Sequence, residues 1–329
     1  MTGSAQVSQQ QREDLQMADV QTTDVVVRPA LENAGSSPRF TSRIVRRIAQ
    51  AVLLLGLVVV LLVLVAPGLI AHQSPIATGD NILTAPGHAH LFGTDQLGRD
   101  VFSRVIYGSR PVLMASLAGV ALATLAGVAV GVLGGFAPRM VRALVMRVVD
   151  VLLSLPVLLI ALILIATVGS GLSSIAIAVG IAFTPGFARV VESSVRKLRS
   201  VEYVQAAKVF GSGGVRTSFR HLLPNLATEV VVLISSGVGW AVLTATTLSF
   251  LGLGVRLPAA DWGSDLAAGA TNLSTAWWLS TFPGAAITLT ILLANFLGDY
   301  VSAVLDPRGG LGLRRGIRSF RTRQKGTRA

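Results

Sequence analysis

Glu202 precedes Ala206 and Ala207 by about one helical turn, Gly211 follows, and a second polar run carrying Arg220 closes on Leu223, Pro224 and Asn225. Residues three and four apart share a helix side, so a carboxylate and a small, closely approachable surface fall on one face. Gly211, Gly213 and Gly214 then permit a sharp reversal, and Phe219, Leu222 and Leu223 supply the second run with large apolar residues. The pattern predicts two short helices around a glycine turn, whose chemistry is docking against another surface. A solvated loop with glycines for flexibility is the other reading that spacing alone permits.

Other residue types offer less. His88 and His90 stand two apart without further clustered ligands, a weak metal signal. There is no cysteine, hence no disulfide or thiolate site. No Gly-x-x-x-x-Gly-Lys-Ser/Thr loop occurs, so this chain is not expected to hydrolyse ATP itself, and no intramembrane Ser-His pair or zinc-type His-Glu motif suggests a protease. Asp150, with Arg147 one turn earlier, Glu229 and Asp299 are functional candidates by default wherever they sit at membrane depth. All lie near the ends of apolar blocks, where pairing or snorkelling is cheap, which favours structural roles. Ser235, Ser236, Thr244, Thr246 and Thr247 could line a path, contacting a solute without holding it tightly, or could hydrogen-bond between helices. Asp95, Arg99, Asp100 and Arg104 alternate in sign within ten residues.

The chain that must position these residues is oily: 52% of its 329 residues are hydrophobic and 13% charged. Six apolar blocks, near 48–70, 112–134, 149–168, 172–191, 226–252 and 280–302, approach or exceed the ~20 helical residues that a hydrocarbon core requires. An all-α integral membrane protein with six transmembrane helices is expected. The fourth block, with Gly180, Pro185 and Gly186, is the weakest and should be shielded from lipid by its neighbours. With the N-terminus inside, Arg99, Arg104, Arg110 and Arg256 are outside and the other 24 of 28 basic residues are cytoplasmic. That is the positive-inside pattern, with both termini cytoplasmic. It accounts for the net charge of +12 without nucleic acid.

Residues 1–38, poor in large apolar groups, are expected to be a disordered cytoplasmic tail. The first block is too long for a signal-peptide core and follows a polar leader, so it should remain as an anchor helix. In the outer segment 71–110, Gln96–Tyr107 is expected to form a short helix, N-capped by Asp95, ended by Gly108, with Leu97, Val101 and Val105 on one apolar face. Residues 135–148 read as a short cytoplasmic turn. Trp262, Trp277 and Trp278 in the outer loop 253–279 suit the headgroup region. The tail 311–329 is polybasic and suits anionic membrane lipid.

The run from Glu202 to Asn225 resembles the cytoplasmic EAA loop of permease subunits of bacterial ABC importers, in which Glu, two Ala, a downstream Gly and a terminal Leu-Pro-Asn recur in this order. FGTDQLGRDVFSRVIYGSR, LSFLGLG followed by DWG, FPG at 282–284, NFLGD at 295–299 and LDPR at 305–308 are similar to peptide-importer permeases of the DppC and OppC type. The resemblance covers about 39–310; the long leader lies outside it, and Ser212-Gly213-Gly214 makes the turn unusually glycine-rich.

The resemblance implies an ABC importer type I permease fold over 39–310, with 192–225 as the EAA coupling loop. It implies a heteromeric importer in which a second, homologous permease subunit completes the path. Two cytoplasmic ATPase domains bind ATP and Mg, an external solute-binding protein delivers peptide, and this chain carries no cofactor. The helix pair would dock in a groove of the ATPase, Glu202 and Arg220 as polar anchors, Ala206 and Gly211 as close contacts. Spans three to six would carry the path. The four outer charges would form a salt-linked helix ordering the entrance. An ion-coupled secondary transporter is the competing function, though it has no need of a long inner loop ending in Leu-Pro-Asn. A nickel chelate or haem is the competing cargo.

Overall fold

The computed structural model describes residues 39–199 and 223–305. Glu202, Ala206, Ala207, Gly211 and Arg220, and the tails 1–38 and 311–329, lie outside the described residues. The elements are α1 (Arg39–Val65), α2 (Val101–Phe136), α3 (Arg139–Leu153), α4 (Val157–Val168), α5 (Leu172–Arg199), α6 (Leu223–Leu248), α7 (Trp262–Ala270) and α8 (Trp278–Leu305). No strand occurs among the described residues. The helices α2, α5, α6 and α8 are long and apolar enough to cross a membrane, and α3 with α4 would make a fifth crossing if the bent pair is one span. Adding the shorter apolar stretch Leu53–Val65 of α1 makes the arrangement compatible with six crossings.

Several boundaries differ from expectation. The first helix stops at Val65 rather than near 70, because Pro67 opens a 3-10 turn. Its last carbonyls, on Leu64 and Val65, accept from Arg110 Nε and Nη2 at 2.8 and 2.6 Å, which satisfies groups a helix end leaves orphaned. The expected third span is not one helix. Leu155 precedes Pro156, which disfavours helical backbone there, and the chain bends by 91° between α3 and α4. Residues 139–153 are a helix, not a turn; only Ala137 and Pro138 separate α2 from α3.

The short helix expected from Gln96 to Tyr107 is the first part of a far longer one. Asp100, not Asp95, is its N-cap, accepting from the Ser103 amide at 2.8 Å. Asp95 instead accepts from the amides of Leu97 and Arg99 and closes a tight loop before it, which leaves Leu97 half exposed while Val101 and Val105 are buried. Gly108 does not end α2, which runs on through Pro111 to Phe136. The missing Cβ serves close approach: one at Gly108 would lie 3.2 Å from Trp262 Cδ1.

One side of α2 carries Gly119, Ala123, Gly127, Gly131 and Gly135 at four-residue spacing, and α5 packs into it. Small residues on one helix face let two backbones approach closely within a membrane. A Cβ at Gly127 would lie 2.5 Å from Phe187 Cβ, and one at Gly131 would lie 2.6 Å from the Ala188 carbonyl oxygen. Neither neighbour is a movable side-chain end, so Gly131→Ala is expected to destabilise the protein by ~1–3 kcal/mol through overpacking. Thermal denaturation in detergent reads this, and an unchanged midpoint would count against the close contact.

An apolar core joins α2, α4, α5 and α6 through Val120, Ile165, Ile175, Val179 and Leu248. More than half of the apolar window of α5 is buried (56%), against a third or less for α2, α6 and α8, so the weakest block is the most enclosed. Gly180 within it meets Leu122 of α2, and Pro185 is buried.

Candidate functional site

Two helices that share this core also diverge on one side. Ala182, Phe183, Gly186 and Phe187 of α5 and Ser236, Gly237, Trp240, Leu243, Thr244 and Thr247 of α6 line a cavity of about 610 Å³, floored by Leu153, Pro156, Val157 and Leu158 at the α3–α4 bend. A volume of that size suits a small organic solute. Spacing explains the α6 wall, because 236, 240, 243, 244 and 247 fall on one helix face. The wall is held at Gly237, where a Cβ would lie 2.8 Å from Phe187 Cζ. No such neighbour exists at Gly186, where a Cβ would meet nothing within 4 Å. Trp240 is 66% exposed along this groove.

Of the five hydroxyls singled out from sequence, Ser236, Thr244 and Thr247 are in the groove. Ser235 packs beside Gly298 of α8, and Thr246 is buried. None makes the interhelical bond that was the alternative among the described residues. Ser236 donates to Val232 O at 3.1 Å, Thr244 to Trp240 O at 2.8 Å and Thr247 to Leu243 O at 2.7 Å, all within α6. The protons are spent on the helix and the oxygen lone pairs face the groove as acceptors only. A weakly accepting, largely apolar wall can let a solute slide without trapping it.

The alternating charges form a buried cluster at the α2 N-terminus. Arg99 Nε donates to Asp95 Oδ2 at 2.6 Å, and Asp100 meets His90 Nδ1 at 3.1 Å besides capping α2. Arg104, 3% exposed, donates through Nε to Asp265 Oδ1 at 3.1 Å and through Nη1 to the carbonyls of Pro75 (3.0 Å) and Pro258 (3.3 Å). Asp261 caps α7, accepting from the amides of Gly263 and Ser264 at 3.0 and 3.1 Å and from Ser249 Oγ at 3.3 Å. Burial pushes the Asp261 carboxyl above the usual carboxylate range, against the opposing pull of the Ser264 amide, the Ser249 hydroxyl, the Gly263 amide and the Arg104 charge. Burial likewise raises Asp265, opposed first by Arg104. The cluster thus ties 75–104 to the segment leading into α8, and α2 is joined to it through Arg104.

Trp262 and Trp278 are part of this construction rather than headgroup anchors. Both are buried, with indole N–H groups donating to Val105 O at 2.7 Å and Thr94 O at 3.1 Å; Trp277 alone is half exposed. The sequence signal for Asp261 and Asp265 is no more than the DWG run and an acid four residues after Asp261. Sequence spacing does not tell that Arg104 reaches a residue 161 positions away.

At the other end of the bundle Asp150 pairs with Arg189 of α5 at 3.5 Å rather than with Arg147, and Glu229 accepts from Ser194 Oγ at 2.8 Å. Asp299 is exposed. His88 is exposed as well, and no group of three metal-ligating residues occurs among the described residues. Leu223, Pro224 and Asn225 open α6.

Residues 123–309 match the family described as binding-protein-dependent transport system inner membrane component. A Brucella suis protein named for a peptide transport system permease is 38% identical over 283 residues, covering 85% of this chain and 95% of that protein. The dipeptide transport system permease protein DppC of Escherichia coli K12 is 42% identical over 262 residues, 78% of this chain and 87% of its own. Among solved structures, an inward-facing MetNI methionine ABC transporter chain superposes with a TM-score of 0.52 at 17% identity over 61% of this chain and 96% of that one, a likeness of fold. Continuous helices, a one-sided groove and full-length relatives of one kind agree: this chain belongs to the binding-protein-dependent transport system inner membrane components, and is a multi-pass permease subunit of an ABC importer.

Proposed function

We propose that the chain forms one wall of the translocation path of an ATP-driven importer of peptides, the other wall coming from a second, different permease subunit. The groove between α5 and α6 carries this reading: it is largely apolar, lined by hydroxyl acceptors, and lies beside the strongly exposed Trp240, so it is half of an enclosure. Relatives named for peptide and dipeptide transport favour a peptide over a nickel chelate or haem. Ser236, Thr244 and Thr247 are the path hydroxyls; Ser235 and Thr246 are not.

Power comes from two partner ATPase domains that bind ATP and Mg, and an external binding protein delivers the solute. The segment carrying Glu202, Ala206, Ala207, Gly211 and Arg220 joins the end of α5, at Arg199, to the start of α6, at Leu223. Those two helices are the groove walls, so force applied to that segment by a docked ATPase acts on both. Asp95, Arg99, Asp100 and Arg104 then order the outer entrance, and both termini are cytoplasmic. An ion-driven carrier would need a free ionisable group within the bundle; Asp150 and Glu229 are engaged by Arg189 and Ser194, and Asp299 stands exposed near the end of α8.

Gly186→Phe tests the path. Its side chain enters open space in the groove, so expression and thermal stability should hold while uptake of labelled dipeptide falls at least ~10-fold, the equivalent of ~1.4 kcal/mol on the barrier. Unimpaired uptake would place the path elsewhere. Uptake that persists with the partner ATPase inactivated would favour the carrier.

A further inference from the structure

We propose that α3 is an interfacial helix: it lies along the membrane surface and seats an uncovered apolar face among the acyl chains of an anionic phospholipid leaflet, with Arg139 and Arg147 at the headgroups. The observation is a helix with three faces instead of two. Met146 and Val149 are buried against Ala188 of α5 and Val130 of α2, which accounts for one side. A second apolar stripe remains uncovered: Met140, Leu144, Val148 and Val151 are 86%, 70%, 57% and 58% exposed. At ~100° per residue these four lie within an arc of about 80°. On the remaining edge stand Arg139, Ala143, Arg147 and Asp150. Asp150 is taken by Arg189, and neither arginine has an ion-pair partner among the described residues.

Direction decides what can cover that stripe. The axis of α4, which packs along the membrane-depth helix α5, is bent by 91° from α3, so α3 runs across the bundle rather than along it. An amphipathic helix in that attitude buries its apolar side ~5–10 Å into the boundary between headgroups and acyl chains, with basic residues flanking it. Two unpaired arginines beside the stripe suit lipid phosphate, which a helix lying in the interface plane brings within their reach. The bend at Pro156 then has a purpose beyond ending a helix: it anchors the floor of the groove, Leu153 to Leu158, to the surface of the bilayer. The leaflet concerned is the cytoplasmic one on the orientation proposed above; the in-plane attitude does not depend on it.

The chain has no cysteine, so nitroxide labels can be placed singly by Met140→Cys, Leu144→Cys, Val148→Cys and Val151→Cys in the assembled transporter, its other subunits cleared of reactive cysteine, in nanodiscs. Collision with oxygen and with a polar nickel chelate gives depth. The four labels should all be oxygen-accessible and agree in depth within ~4 Å, whereas an upright helix would spread Met140 and Val151 over ~16 Å. A graded series overturns the proposal, and so does exclusion of both reagents, which would mean protein covers the stripe. The Leu144→Cys label should sit measurably deeper in phosphatidylglycerol than in phosphatidylcholine, and the difference should vanish on adding Arg139→Gln and Arg147→Gln. Equal depth in both lipids overturns the headgroup assignment. An impermeant reductant added to one side of sealed vesicles reads the leaflet separately, so a wrong orientation would show as the opposite side with the depths still equal.

Discussion

Arg104→Ala is expected to cost about 3–5 kcal/mol of stability, because it strands buried carboxylates that its guanidinium now compensates. Asp265 loses its ion-pair partner, Asp95 loses a second cation at 3.9 Å, and the carbonyls of Pro75 and Pro258 lose their donor. The variant should aggregate or denature well below the wild-type temperature in detergent. Arg104→Lys should recover only part, since a single ammonium cannot reach acceptors on three segments as a planar fork does. Pairing Arg104→Met with Asp265→Leu should recover more than either single change, because removing both charges also removes their desolvation.

The deficit also has a pH signature. Burial already raises the Asp265 carboxyl, and Arg104 opposes that rise. Without Arg104 the folded-state value climbs further above the unfolded one, so the stability tied to that group is present at low pH and lost as pH rises through the folded value. The gap between Arg104→Ala and wild type should therefore narrow on acidification. Equal stability of the two proteins at neutral pH would sink the assignment of Arg104 as the tie between the α2 N-terminus and α7.

Ala206→Glu is expected to abolish ATP-driven uptake while the chain still inserts in the membrane. If Ala206 is a point of close contact with an ATPase groove, a larger acidic side chain there both separates the surfaces and buries an unpaired carboxylate. Roughly 3 kcal/mol, a modest charge for such a burial, weakens docking about 100-fold. Co-purification of the ATPase is the direct measurement, with Ala206→Ser as the small control that should retain it. Normal co-purification and normal uptake by Ala206→Glu would place the coupling surface elsewhere on this chain.

Much of the architecture was legible because the physics behind it is local. A helix that crosses a membrane needs about 20 predominantly apolar residues, so α2, α5, α6 and α8 follow from the blocks they contain. The proposed docking segment, Glu202 to Asn225, rests on a different signal, motifs in a fixed order. Hydroxyls on α6 could be named but not sorted. Ser236, Thr244 and Thr247 share a face, yet whether that face meets a groove or another helix depends on where α5 and α8 lie.

Local signals yield to packing at several positions. An N-cap, a stop signal or a headgroup tryptophan is a local preference worth about a kcal/mol, and tertiary packing overrides it. Asp95 is as good a cap as Asp100 on paper; a tight loop closing on Arg99 takes it first. Gly108 would end a helix in isolation, but packing against Trp262 and the chain before it uses its missing Cβ and keeps α2 going. Sequence alone determined an all-helical chain of membrane depth with a long polar segment between its fourth and fifth blocks, because hydrophobicity and periodicity act residue by residue. Only the tertiary structure decided that Arg104 belongs with Asp265 and that Gly127 and Gly131 seat α5, because each depends on elements distant in the chain meeting in space.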